Sequence, residues 1–112
     1  SHLLNGLHFD VNFPNRKQQS ALHYAASRGK IKCIYLLLDY WAIIDAPDSQ
    51  GQTPLFKAAE GGHFEVVQLL ALRGANVNIV VEDCANEKSV PILAAARCLH
   101  HHCVTELLRF GA

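Results

Sequence analysis

Apolar residues recur along this chain at helical spacing, in short segments bounded by polar residues and glycines. Leu55, Ala58 and Ala59 fall three and four positions apart, which places them on one face of a helix. Thr53 and Pro54 stand just before this face, and a hydroxyl residue followed by proline is a typical helix start. The glycines at positions 61 and 62 adopt left-handed backbone angles readily and therefore predict the helix end.

A second apolar stripe follows directly, at positions 66, 67, 69 and 70, and Gly74 closes it. The turn between the two stripes is short, so we expect the two helices to run antiparallel. A helix pair of this size cannot bury its apolar face alone, and neighbouring pairs must stack on it.

The same pattern occurs three times. Residues 20–29 match residues 53–62 at an offset of 33, and the leucine pair at 36 and 37 then falls on the pair at 69 and 70. A third copy begins at Pro91, offset by 37 from the second, so it follows four extra residues. Residues 9–12 match 75–78 and form part of a copy before the first. A fixed period near 33 indicates a repeat protein.

The best copy, residues 48–81, carries T-P-L, A-A, G-H, L-L and G-A-N-V-N at their expected places and resembles the ankyrin repeat. The resemblance implies an all-α ankyrin-repeat solenoid of stacked helix–turn–helix units with β-hairpin-like finger loops. We expect a partial repeat at 1–14, repeats at 15–47 and 48–81, and a degenerate repeat with a longer finger at 82–112.

Composition narrows the function classes. The chain has 112 residues, of which 50% are apolar and 18% charged, and its formal net charge is zero. This predicts one folded domain and argues against a disordered chain, a nucleic-acid binder or an anionic-membrane binder. No apolar run is long enough to span a bilayer. With no methionine at position 1, we interpret the chain as a piece of a longer protein.

For two of the four cysteines, the repeat alignment favours a structural role in the core over a reactive thiol. Cys33 and Cys103 align with Val66, a slot that favours a small apolar side chain, so both are expected to be buried. Cys98 at a helix end and Cys84 in the inserted loop are the better candidates for reactive thiols. Scattered free cysteines favour an intracellular location, in the cytoplasm or nucleus.

Neither a metal site nor an enzyme site emerges from the histidines. Three consecutive histidines at 100–102 point about 100° apart on a helix, so they cannot converge on one ion. His23 lacks a recurring nucleophile or carboxylate partner, and no phosphate loop or catalytic motif is present. We expect no catalytic residue, cofactor or metal. The ankyrin resemblance implies that His23, His63 and His100 form local hydrogen bonds.

The resemblance implies protein–protein recognition through the finger loops and the concave surface of the inner helices. Carried onto this chain, the contact positions are Arg16, Lys17, Gln19, Tyr24, Ser27 and Arg28 in the first copy, Ser49, Gln50, Gln52, Lys57, Glu60 and Gly61 in the second, and Asn86, Glu87, Ser89, Ala94, Arg97 and Cys98 in the third. The expected partner is a protein or peptide, not a nucleic acid, a membrane or a small molecule.

Charge and aromatic residues add two hypotheses about this surface. Residues 15–47 hold five cationic and two anionic side chains, net +3, which is either a solvated face or a means of steering an acidic partner. Trp41 occupies the slot that holds Gly74 and Gly111 in the later copies. It either covers the adjacent helix or forms an exposed anchor for a partner.

The third copy departs most from the pattern. It has Val90 instead of a capping threonine and Leu99 instead of the turn glycine, and each loss costs about 1 kcal/mol. We therefore expect the C-terminal copy to fray first. The insertion between positions 81 and 89 lengthens one finger, and we expect that finger to contact a partner.

Two alternative functions follow from the resemblance. Ankyrin repeats serve as substrates of asparaginyl hydroxylation at the V-N end of the repeat. Asn78, with Leu70 eight residues before it, fits that pattern, and Asn12 with Leu4 fits it less well. In the second alternative, the chain is a targeting or adaptor segment of a larger enzyme or ubiquitin ligase.

Overall fold

A computed structural model describes residues 12, 14–16, 18–82 and 87–111 of the chain. Within these residues six helices form three consecutive antiparallel pairs, and a two-stranded hairpin precedes the last pair. The elements are α1 (Ala21–Arg28), α2 (Ile31–Asp39), α3 (Pro54–Gly61), α4 (Phe64–Leu72), β1 (Val81–Glu82), β2 (Lys88–Ser89), α5 (Pro91–Arg97) and α6 (His101–Arg109). The expected all-α ankyrin architecture is confirmed.

The inner helices begin where the capping pattern predicts. The Thr53 hydroxyl accepts a hydrogen bond from the Phe56 backbone N–H, and Pro54 occupies the first turn of α3. At α1 the Ser20 hydroxyl accepts from the His23 N–H while the His23 ring accepts from the Ser20 N–H, so two helix-end donors are satisfied reciprocally. Val90 offers no such bond to α5.

Left-handed residues end the helices. Gly29 and Gly62 cap α1 and α3 with φ of 70° and 79°. Leu99 and Trp41 take the corresponding conformation, with φ of 62° and 67°, although neither is a glycine. A side chain with a Cβ is strained in this region by about 1 kcal/mol. Both residues, at positions where other copies have glycine, are therefore strained.

The pairs stack in two layers. The inner layer runs α1–α3–α5, and the outer layer runs α2–α4–α6. Close approach of the inner helices is possible because small side chains meet there: Ala26, Ala59 and Ala95 are all fully buried. The core is therefore distributed between successive pairs, as expected for a repeat protein.

One predicted core residue is exposed. Cys103 is fully buried, as expected, but Cys33 is exposed although it occupies the same slot. The slot in α4, held by Val66, is buried in the core cluster that extends across successive pairs. The prediction of burial was therefore wrong for Cys33. The predicted partial copy at 1–14, which precedes this repeat, lies mostly outside the described residues.

Histidines bond between repeats and not only within them. The ring Nε2 of His63 lies 3.0 Å from the Ser27 carbonyl oxygen. The ring Nε2 of His100 lies 3.1 Å from the Glu60 carbonyl oxygen. The prediction of local bonding was therefore wrong for both residues. His23 bonds locally to Ser20 and also reaches the Gln52 carbonyl oxygen at 2.8 Å.

The finger loops differ in length. The second finger closes where the Asp48 N–H donates to the Gln52 carbonyl oxygen. In the third finger β1 pairs antiparallel with β2, Val81 opposite Ser89. The Glu82 N–H donates to the Gln50 carbonyl oxygen, so neighbouring fingers are joined. Residues 83–86 of the insertion, which include Cys84 and Asn86, lie outside the described residues.

Among the described residues, no helix is long and apolar enough to cross a membrane.

Candidate partner-binding face

The inner helices of the first two repeats enclose an open depression of about 310 Å³. Its walls bring together residues that are far apart in sequence, because α1 packs against α3. The lining residues are Gln19, His23, Tyr24, Ser27, Arg28, Lys57, Glu60 and Gly61. Seven of these eight were predicted contact positions, and His23 is the addition. The predicted surface of the first two copies is thus largely continuous here.

Arg28 and Tyr24 form an ordered pair on the α1 wall. The guanidinium donates from Nη2 to the Tyr24 hydroxyl at 2.9 Å, and its Cζ lies 4.7 Å from the centre of the tyrosine ring. Both residues remain exposed. A guanidinium has five N–H donors, so most of its bonding capacity stays open to a ligand.

The Lys57 charge on the α3 wall is already balanced. Its Nζ lies 3.7 Å from Oδ2 of Asp48, whose side chain is 3% exposed. The other oxygen of Asp48 accepts hydrogen bonds from the Gln50 and Gln52 N–H groups. Asp48 therefore holds both the finger turn and the lysine in place, a role that sequence reasoning did not assign to it.

The uncharged imidazole of His23 forms part of the wall of the depression. Burial lowers the pKa of this imidazole, an effect opposed mainly by its hydrogen bond to the Gln52 carbonyl. Because Nδ1 accepts from the Ser20 N–H, the proton resides on Nε2, which donates to Gln52. The ring joins two repeats and is not free to act as a base.

Three predicted contact residues point inward. Gln52, Ser89 and Ala94 are 2%, 2% and 4% exposed. Gln52 is turned between fingers, where its side-chain Nε2 donates to the Glu82 carbonyl oxygen at 2.5 Å. A partner contact by the side chains of Gln52, Ser89 and Ala94 does not fit their buried positions.

The other predicted positions are dispersed. Arg16 and Ser49 are exposed on the first two fingers, and Gln50 is half-buried beside them. Glu87, Arg97 and Cys98 are exposed on the third repeat and do not line the depression. Lys17 and Asn86 lie outside the described residues.

Trp41 is exposed and lies away from the depression, at the C-terminal end of α2. Its side chain is 82% exposed, so it does not cover a neighbouring helix. Of the two sequence interpretations, the exposed aromatic therefore fits its position, while a role as an anchor stays a prediction.

A larger apolar groove of about 660 Å³ lies at the N-terminal edge of the stack, between α1 and α2. Its walls include Ala21, Cys33 and Leu36. The corresponding residues of the second repeat are Pro54, Val66 and Leu69, which are all buried where the first repeat stacks on the second. The groove is therefore lined by positions that pack between repeats in the second copy, and the polar depression between α1 and α3 is the better candidate for partner recognition.

The histidine run begins α6. His100 is the N-cap residue, and the rings of His101 and His102 lie 4.7 Å apart, with Phe64 beside His102 at 5.3 Å. In the part of the chain that the structure describes, no three His, Cys, Asp or Glu side chains converge to hold a metal ion.

The chain belongs to the ankyrin repeat family. The family model described as ankyrin repeats in three copies matches residues 1–83. The third helix pair, α5 and α6, follows this matched segment yet packs on α3 and α4 like the earlier pairs. As a class, ankyrin repeats are non-catalytic protein–protein interaction modules.

Several curated proteins are similar to this chain. A probable E3 ubiquitin-protein ligase from Oryza sativa subsp. japonica is 42% identical over 86 residues, which cover 73% of this chain and 17% of that protein. The B-cell lymphoma 3 protein homolog of Mus musculus is 43% identical over 62% of this chain and 16% of its own length. A human transient receptor potential cation channel, subfamily A member 1, is 40% identical over 64% of this chain and 7% of its own length. The chain thus spans less than a fifth of each of these relatives.

Proposed function

We propose that this chain is a non-catalytic module that binds a protein or peptide partner on its concave face. The observation that carries the proposal is the depression between α1 and α3, where contact positions from two repeats converge. Arg28 and Tyr24 are exposed there and held in place by each other. Tyrosine and arginine are the side chains that most often dominate protein interfaces.

The charge of the first repeat supports attraction of a partner with acidic groups. Arg16, Arg28, Lys30 and Lys32 are all exposed on this repeat. Rim charges of one sign raise the rate of association more than they raise affinity, and added salt weakens the effect. Free thiols at Cys33, Cys98 and Cys103 support a reducing, intracellular setting for the interaction.

A selection from random 12-residue peptides displayed on phage tests the proposal, with the 112-residue chain immobilised as bait. Enriched peptides are synthesised, and their affinity is measured by fluorescence anisotropy. Ser27→Arg fills the depression from the exposed face of α1, and we expect it to abolish binding. The Ser27 hydroxyl bonds the Tyr24 carbonyl of its own helix, and the bond to His63 uses the Ser27 backbone carbonyl, which the substitution keeps.

Thr105→Arg is the matched control. Thr105 is an exposed hydroxyl residue in α6 that bonds the His101 carbonyl of its own helix, as Ser27 does in α1. It lies outside the depression, so binding should persist. Equal affinity for the wild type and Ser27→Arg, or no enriched peptide, would contradict the proposal.

The names of the relatives support the alternative that this chain is an adaptor segment of a larger enzyme. One relative is named a probable E3 ubiquitin-protein ligase, and the matched segment is 17% of that protein. In a protein of that kind the present chain would select the partner while another segment supplies the chemistry. The same depression would then hold the protein to be modified, so the peptide selection applies unchanged.

Hydroxylation of Asn78 is the second candidate function. Asn78 is exposed, and its side-chain nitrogen donates to the Gly111 carbonyl oxygen at 3.4 Å. Asn12 makes the equivalent contact to the Trp41 carbonyl oxygen at 3.5 Å. Leu70 is fully buried, so an enzyme reading both positions must loosen the repeat. Intact mass after treatment with an asparaginyl hydroxylase tests this, and the absence of a +16 Da species would count against it.

A further inference from the structure

The depression between α1 and α3 presents one cation and one anion that remain open to a ligand. Among the described residues, the Arg28 guanidinium hydrogen-bonds and stacks only on Tyr24, and Glu60 forms no ion pair. Both side chains line the depression, Arg28 from the end of α1 and Glu60 from the last turn of α3. The two charged residues thus belong to different repeats, and the packing of α1 on α3 places both at the same depression.

The other ionisable groups in the wall do not add to this pattern. Lys57 is balanced by Asp48 at 3.7 Å. His23 is buried, and its ring bonds to Ser20 and Gln52 are those of the neutral tautomer. The electrostatic character of the depression therefore comes from Arg28 and Glu60, and it is dipolar even though the first repeat as a whole is basic.

The Arg28 guanidinium and the backbone that carries Glu60 are both held in place. The hydroxyl and ring of Tyr24 hold the Arg28 guanidinium in one orientation, which leaves its remaining N–H donors for a carboxylate. The Glu60 backbone carbonyl accepts from the His100 ring at 3.1 Å, so this turn of α3 is tied to the third repeat. Preorganised groups lose less conformational entropy when a ligand binds.

We propose that the depression binds a peptide segment that carries both an acidic and a basic residue. The acidic side chain pairs with Arg28, and the basic one pairs with Glu60. This inference rests on the proposed function and narrows it, because a uniformly acidic partner would be repelled by Glu60 at the same site. The net positive charge of residues 15–47 would attract the partner. Arg28 and Glu60 would then determine which peptide sequences bind.

Charge reversal on both sides of the interface tests this pairing. From the peptides selected on the wild-type chain, we expect a consensus with one acidic and one basic position. Arg28→Glu and Glu60→Lys should each weaken binding of that consensus peptide by roughly tenfold or more, the range of a lost charge-assisted contact. The double variant R28E/E60K should instead bind a peptide in which the acidic and basic positions are exchanged.

Lys32→Glu controls for the change in net charge. Lys32 is exposed on α2 and does not line the depression, so its reversal should change affinity far less than Arg28→Glu does. Far-ultraviolet circular dichroism checks that each variant is folded. Arg28→Gln and Glu60→Gln, which remove the charge without reversing it, replace any reversal that unfolds the chain.

The outcomes separate the two proposals. Peptides that lose affinity with Ser27→Arg but tolerate both charge reversals would overturn the pairing and leave the proposed function standing. A consensus with charges of one sign only would also overturn the pairing. Peptides that are insensitive to Ser27→Arg would overturn both proposals together.

Discussion

Gly62→Ala tests how the glycine turns and the inter-repeat histidines depend on each other. Gly62 caps α3 with φ of 79°, and a Cβ added there would lie 2.7 Å from Nδ1 of His100. The same ring bonds the Glu60 carbonyl oxygen at 3.1 Å. The substitution therefore strains the backbone and displaces the ring from its hydrogen bond.

The two effects can be given magnitudes. An alanine in the left-handed region costs about 1 kcal/mol relative to glycine. Loss of the His100 hydrogen bond costs about 1 kcal/mol more, and the displaced ring also loses its packing on α3. We expect Gly62→Ala to lower the free energy of unfolding by about 2–3 kcal/mol, measured by urea denaturation followed by circular dichroism.

Gly74→Ala is the matched control. Gly74 has φ of 94°, but a Cβ added there would have no atom within 4 Å, so only the backbone cost of about 1 kcal/mol applies. In the His100→Ala background, Gly62→Ala should likewise cost only the backbone term, since the ring is gone. Equal losses for Gly62→Ala and Gly74→Ala, or additive losses in the Gly62–His100 cycle, would refute the reasoning.

Four further predictions concern strain, local stability, thiol access and pH. Trp41→Gly removes a strained side chain that is 82% exposed and should raise the free energy of unfolding by about 1 kcal/mol in urea titrations; a loss would contradict the strain. Backbone amides of α5 and α6 should exchange faster than those of α3 and α4 by hydrogen-exchange mass spectrometry, because Val90 provides no cap; equal protection would argue against early fraying. Iodoacetamide at pH 8 should label Cys33 well before Cys103, whose pKa is raised to about 11 mainly by burial and also by Glu106; similar rates would be inconsistent with burial. Because the folded state lowers the pKa of His23, the unfolded state binds more protons, so the free energy of unfolding should fall as pH drops below the ordinary histidine pKa; His23→Gln should reduce that slope.

Signals within one repeat predicted the helices well. Thr53 followed by Pro54 marked the start of α3, and glycine at 62 marked its end, because caps and left-handed turns are decided by residues that are near in sequence. Glycine slots occupied by Trp41 and Leu99 could also be identified as strained, since alignment of the copies gave each slot its backbone conformation.

Contacts between repeats were predicted less well. Cys33 and Cys103 occupy the same slot, yet one is exposed and the other is buried, because burial depends on the repeat that packs against the slot. Gln52 was predicted on the surface, but its side chain is buried and donates a hydrogen bond to the backbone carbonyl of Glu82, thirty residues later in the neighbouring finger. The spacing of residues within one repeat does not indicate how the adjacent repeat packs against it.

The sequence by itself determined the ankyrin fold, the three helix pairs of the described residues and seven of the eight residues that line the depression. These follow from local capping, apolar periodicity and a period near 33, all of which are properties of one chain segment or of its recurrence. The tertiary structure decided which charges stay open to a partner. Lys57 is balanced by Asp48 while Arg28 and Glu60 are not, and this difference depends on side-chain distances that exist only once α1 has packed on α3.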